Sequence, residues 1–155
     1  MLIQSVMGFD YGTKRIGIAI GQTITATAHP LTTVLVRNQQ PDWLHLHTLV
    51  QEWQPQALIV GIPLHANGSQ NVITLAVQHF TQQLQRRYQL PVYMIDEALS
   101  SVAAAERISA PRLLTTTTAH GNSKPRHSKK PKNHRQGLDA VAAQIILETW
   151  FAECL

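Results

Sequence analysis

The sequence predicts an α/β fold, a mixed β-sheet flanked by helices. Three observations carry that prediction. The chain opens with three β-rich runs, Leu2–Phe9, Ile16–Ile20 and Leu31–Val36. Apolar runs then alternate with helical periodicity. The two later runs, Ala57–Ile62 and Pro91–Ile95, are apolar almost throughout, as strands covered on both faces are. A meander followed by strand–helix alternation implies a sheet that is part antiparallel and part parallel.

Each element has its own signal. Asp-Tyr-Gly-Thr-Lys-Arg between the first two runs is turn-forming and predicts a hairpin. Asp42 can cap a helix whose apolar positions Trp43, Leu46, Val50 and Trp53 recur at spacings of three and four. Ala57–Ile62 reads as a buried parallel strand stopped by Pro63, and a helix through Val72, Ala76, Phe80 and Leu84 follows it. After Pro91–Ile95, Ser100 or Ser101 can cap a short helix ending before Pro111. A last helix is expected from about Leu138 to Phe151. The count is five strands.

With 155 residues, 44% of them hydrophobic, the chain can fill one core and hardly two, so 1–155 reads as a single domain. The net charge of +4 points to an anionic partner, nucleic acid first. Its distribution is more informative. Seven of the thirteen basic residues (Arg112, Lys124, Arg126, Lys129, Lys130, Lys132 and Arg135) lie in one stretch without an acid. The remainder keeps six basic residues against nine acidic ones. Aliphatic patterning lapses at about Pro111 and returns at Leu138, so 111–136 is expected to be a long, mobile basic loop. It reads either as a solubilising insertion or as an arm that grips phosphates. The single cysteine, Cys154, allows no internal disulfide, and no apolar run approaches a membrane span. A cytoplasmic protein with no membrane partner is expected.

Nine acids can be weighed singly. Asp42, Glu52, Glu106, Glu148 and Glu153 sit on predicted helices, at a cap or among polar positions, and need no chemistry. Asp10 closes the first strand before Gly12, where a ligand can approach the backbone; a plain turn aspartate is the alternative. Asp96 and Glu97 end the last strand. Alternation lets one of the two face a shared site, and capping the next helix is the competing role. Asp139 is expected in the first turn of the last helix, where the helix dipole favours its charge. If the first and last strands run parallel, Asp10 and Glu97 converge at one sheet edge, with Gly61 leaving room between them. Asp139 then closes the cluster from its helix. Three carboxylates without a basic residue built in beside them need a cation. Oxygen donors of this kind suit Mg²⁺ or Mn²⁺ and phosphodiester hydrolysis. Other chemistries lack their residues: the eight histidines are scattered, and no Gly-Lys-Ser/Thr phosphate loop is present.

Four ordered segments carry a family resemblance. They are Gly8-Phe-Asp-Tyr-Gly-Thr-Lys14 with Ile16-Gly-Ile-Ala-Ile20, then Ile59-Val-Gly-Ile-Pro-Leu64, Asp96-Glu-Ala-Leu-Ser-Ser101, and Leu138-Asp-Ala-Val-Ala-Ala143 with Ile145-Ile-Leu147. Together they resemble the YqgF/RuvX family of bacterial RNase H-like proteins. The family is described as nucleases maturing the 5′ end of pre-16S ribosomal RNA, and also as resembling Holliday-junction resolvases. The resemblance implies an RNase H-like five-stranded mixed sheet and divalent-metal phosphodiester hydrolysis in ribosome biogenesis. It implies Asp10, Glu97 and Asp139 as catalytic, metal-holding acids. Arg135 falls where the family usually has lysine or arginine. Ala98 departs from the usual arginine and Ser101 from the usual threonine; the resemblance implies that Ala98 lacks a contact either to phosphate or to the groups behind the metal-holding acids.

The leading expectation is therefore a Mg²⁺- or Mn²⁺-dependent nuclease acting on precursor RNA. Lys14, Lys129, Lys130, Lys132 and Arg135 would position phosphates, and ribosomal precursor particles are possible partners. A nuclease for branched DNA is the nearest variant. A non-catalytic RNA-binding assembly factor is the rival from another class, and an ATP-binding phosphotransferase, on the Asp10-x-Gly-Thr turn, is a more distant one.

Overall fold

A computed structural model describes residues 2–62, 72–96 and 134–154. The elements are β1 (Ser5–Tyr11), β2 (Arg15–Gln22), β3 (Thr27–Arg37), β4 (Gln40–Pro41), α1 (Trp43–Trp53), β5 (Ala57–Ile62), α2 (Val72–Tyr88), β6 (Val92–Asp96) and α3 (His134–Cys154). One mixed sheet runs in the order β4-β3-β2-β1-β5-β6. β1, β2 and β3 are antiparallel neighbours, whereas β5 and β6 run parallel to β1 with β5 between them. The carboxyl ends of β1, β5 and β6 therefore share an edge, as the sequence reading required.

Alternation along the strands divides the core in two. Met7, Phe9 and Tyr11 of β1, with Ile16 and Ile18 of β2, face α1 and α2 and pack on Leu46, Leu49, Val77, Phe80 and Leu84. Phe9 and Phe80 meet edge to face, ring centroids 5.7 Å apart, a preferred aromatic geometry. Val6, Ala19 and Ile59 point to the opposite face, against Ala143, Ile146, Leu147 and Trp150 of α3. The side chain of Asp42 caps α1 by accepting from the His45 N–H at 3.2 Å, as predicted. No helix among the described residues is long and apolar enough to cross a membrane.

Three expectations are corrected. The sheet has six strands, not five. Asn38 and Gln39, at φ 51° and 62°, make a two-residue turn that returns the chain as β4 against Val36–Arg37. Such turns normally announce themselves by glycine, and Asn-Gln does not. The basic loop expected over 111–136 ends earlier, because α3 begins at His134. Gly137, a weak helix residue just before Leu138, lies inside the helix, where α3's packing outweighs its cost of about 1 kcal/mol. Asp139 in consequence lies beyond the first turn, out of reach of the strongest helix-dipole effect. The rest of the expected loop, and the short helix expected before Pro111, lie outside the described residues.

Candidate functional site

Asp10 has the strand parity of Val6 and Gly8, so it belongs to the α3 face of β1. Its direct partner on β2 is Gly17. The same face of these strands carries small residues, Gly8, Gly17, Ala19 and Gly21, and α3 descends onto them. A Cβ added at Gly8 would lie 2.6 Å from Leu147 Cγ, and one at Gly17 only 1.9 Å from the Asp139 carbonyl oxygen. Backbone therefore rests on backbone at Gly17. Asp10 beside that glycine and Asp139 above it are brought together from positions far apart in sequence.

Asp139 has a cationic partner that the sequence reading missed. Arg15, also on the α3 face of β2, donates from Nε to Asp139 Oδ2 at 2.9 Å. Both side chains keep roughly a third of their surface in solvent (29% and 30%), so the pair is neither fully buried nor freely hydrated. The premise that no basic residue stands beside the acids is corrected. Arg15 sits two residues before Gly17, and strand alternation alone puts it on Asp139's side. That was the available signal, hidden because its location in a turn-like Thr-Lys-Arg made it look like surface.

Lys14 is exposed in the β1–β2 turn, and its carbonyl accepts from the Val36 N–H at 2.9 Å, which anchors the turn to β3. Tyr11, immediately after Asp10, points into the α2 face; burial pushes its phenol above the usual tyrosine range, so the hydroxyl stays a donor. Asp96 pairs in register with Ile62, at the carboxyl end of β6. Tyr93 and Ile95 carry the parity that faces α3, through Trp150 and the core around it, so Asp96 belongs to the other side. Glu97, Lys129, Lys130 and Lys132 lie outside the described residues, as does the side chain of Arg135, whose backbone is in the first turn of α3. Among the described residues no three His, Cys, Asp or Glu side chains group closely enough to hold a metal. The backbone thus sets Asp10 beside Gly17 and the Asp139 carbonyl over that same glycine, with the Asp139 side chain held by Arg15.

The sequence pattern of the family described as "RuvX: Holliday junction resolvase" matches residues 4–113. The chain belongs to the RuvX family. Two RuvX-like relatives carry the name "Putative pre-16S rRNA nuclease". That of Hydrogenovibrio crunogenus is 43% identical, covering 94% of this chain and 91% of the relative. That of Nitrosococcus oceani is 40% identical, covering 96% and 86%. Among solved structures, T. thermophilus RuvC in complex with Holliday junction substrate superposes with a TM-score of 0.55 at 17% identity, over 97% of this chain and 94% of that one. This RuvX chain therefore has the RNase H-like fold of the RuvC nucleases. The family pattern stops at residue 113, before α3, whose Asp139 carbonyl lies over Gly17.

Proposed function

We propose that this chain is a divalent-metal-dependent endonuclease that hydrolyses phosphodiester bonds of precursor ribosomal RNA, at the 5′ end of pre-16S rRNA in the cytoplasm. The observation that carries the proposal is the meeting of Asp10 and Asp139 at Gly17, on the edge where the parallel strands end. Ligands of sheets with parallel strands bind at that edge. The donor set of Asp10 and Asp139 with Glu97 is all oxygen, which fits Mg²⁺ or Mn²⁺, although Arg15 already neutralises part of the charge on Asp139. Such an ion, when bound, activates water and stabilises the leaving oxygen.

The chain's own residues set the stage for that chemistry. Arg15 fixes the rotamer of Asp139 by holding Oδ2, leaving Oδ1 to a ligand. Lys14, exposed four residues after Asp10, meets a phosphate of the strand being cut. Lys129, Lys130, Lys132 and Arg135 supply further phosphate contacts, which position the substrate without reading its sequence.

The relatives' names favour RNA, while the family description favours a four-way DNA junction as the second substrate. Both belong in one assay. Labelled pre-16S rRNA and a labelled four-way junction are incubated with the protein and Mg²⁺ or Mn²⁺, beside Asp10→Asn and Asp139→Asn. Cleavage of the RNA is expected, falling by about 100-fold or more in each variant. Cleavage that survives both substitutions would overturn the site, and cleavage of the junction alone would overturn the substrate.

A further inference from the structure

A second concavity opens beside this edge, on the opposite face of the sheet from Asp139. It has a volume of about 390 Å³, within the roughly 300–1,000 Å³ of small-ligand clefts. Tyr11 and Thr13 line it, so it begins one residue from Asp10. Tyr11 and Phe80, ring centroids 5.2 Å apart, form an aromatic floor that is almost wholly buried. His79 stands exposed on the wall, and Gln83 one turn further along α2 is half-buried. The facing rim is the β3–β4 turn, where Asn38 and Gln39 are both held at positive φ. Non-glycine residues occupy that region at a cost, and consecutive ones fix the direction in which their amides leave the backbone.

The lining chemistry is selective. The described residues that line the cleft are neutral amides, hydroxyls, one imidazole and apolar groups, with no carboxylate, lysine or arginine among them. It offers the exposed imidazole of His79 above a buried aromatic floor, and amides that both donate and accept. That combination suits a neutral, planar ligand with donors and acceptors along one edge. Unpaired bases are recognised in this way, by stacking and by hydrogen bonds to their exposed edges.

We propose that this cleft takes an unpaired nucleobase of the substrate strand, flanking the scissile phosphate. His79 supplies the stacking surface, and Gln39 and Gln83 contact the base edge. The inference rests on the nuclease reading for the identity of the strand, but not for the existence of the cleft. A single-stranded hexaribonucleotide with 2-aminopurine at successive positions tests it, titrated with the full chain in EDTA so that no cleavage occurs.

Stacking should quench one position well above the others. The double variant His79→Ala/Gln83→Ala should abolish that quench and weaken binding about tenfold, the scale of one lost stacked base. The two positions are not core side chains, so unchanged thermal melting is expected. In the cleavage assay the same variant should raise KM with kcat within about twofold. Equal quenching at every position, or a quench unchanged in the double variant, would overturn the cleft as a base site. Cleavage absent from the unmodified protein with the quench intact would overturn the nuclease reading while supporting this one.

Discussion

Asp139 is held by an arginine from the sheet, and this changes what its carboxylate can do. A guanidinium at 2.9 Å competes with any divalent ion for Oδ2 and repels it. Replacing Arg15 with methionine should therefore tighten Mn²⁺ binding several-fold in a calorimetric titration, with Asp139→Asn moving it the other way. Because the pair is partly solvated, the same replacement should lower unfolding free energy by only about 1 kcal/mol in urea titrations. Weaker Mn²⁺ binding in Arg15→Met would mean that orienting the carboxylate outweighs repelling the ion. The position of Asp10 near the carboxyl end of β1 was legible from sequence, because an apolar run leads into it and Gly12 follows two residues later. The pairing of Arg15 was not, because alternation gives only its face of β2, while its partner is 124 residues away.

The seating of α3 depends on glycine lacking a side chain at Gly17. A methyl group there would overlap the Asp139 carbonyl, which is backbone and cannot turn aside. Gly17→Ala should cost about 3 kcal/mol, at the upper end of overpacking penalties, and should lower cleavage by displacing Asp139. Gly137 is the internal control: among the described residues nothing lies within 4 Å of an added Cβ, so Gly137→Ala should stabilise by about 0.5–1 kcal/mol through helix propensity. Urea midpoints of the two variants should move in opposite directions. The strands were readable because period-two alternation and continuous apolar runs are local signals. The parallel placement of β1, β5 and β6 agrees with the sequence reading, and β5 is buried along almost its whole length. Among the described residues, however, β6 is an edge strand with Tyr93 and Met94 exposed, so its apolar run did not mark a strand covered on both faces. β4 and the first turn of α3 were not readable. Each depends on a residue acting against its propensity, Asn38 and Gln39 at positive φ and Gly137 within a helix, and tertiary packing decides such cases.

Charge and protonation act on the chain as a unit. Seven basic residues between 112 and 135 stand apart from an acidic remainder, and that separation should appear in the salt dependence of RNA binding. Substituting Lys129, Lys130 and Lys132 by glutamine should reduce the slope of log K against log salt by up to about 2, at roughly 0.7 per phosphate contact on a single strand. An unchanged slope would make the stretch a solvated insertion. At high pH the fold should weaken. Burial raises the Tyr11 and Tyr88 phenols above their ordinary value of 10.0, Arg87 partly offsetting this at Tyr88. The unfolded chain therefore releases these protons first. Their stabilising contribution is complete below pH 10.0 and is lost as pH rises through the higher folded values. Melting temperature should fall above that pH, and the double variant Tyr11→Phe/Tyr88→Phe should flatten the fall. The pairing of Arg15 with Asp139 also has a consequence for timing. Asp10, Arg15 and Gly17 leave the ribosome early, whereas Asp139 arrives only with the final helix. A growing chain can pair β1 with β2 well before the Arg15–Asp139 contact can close, because the two partners are made 124 residues apart.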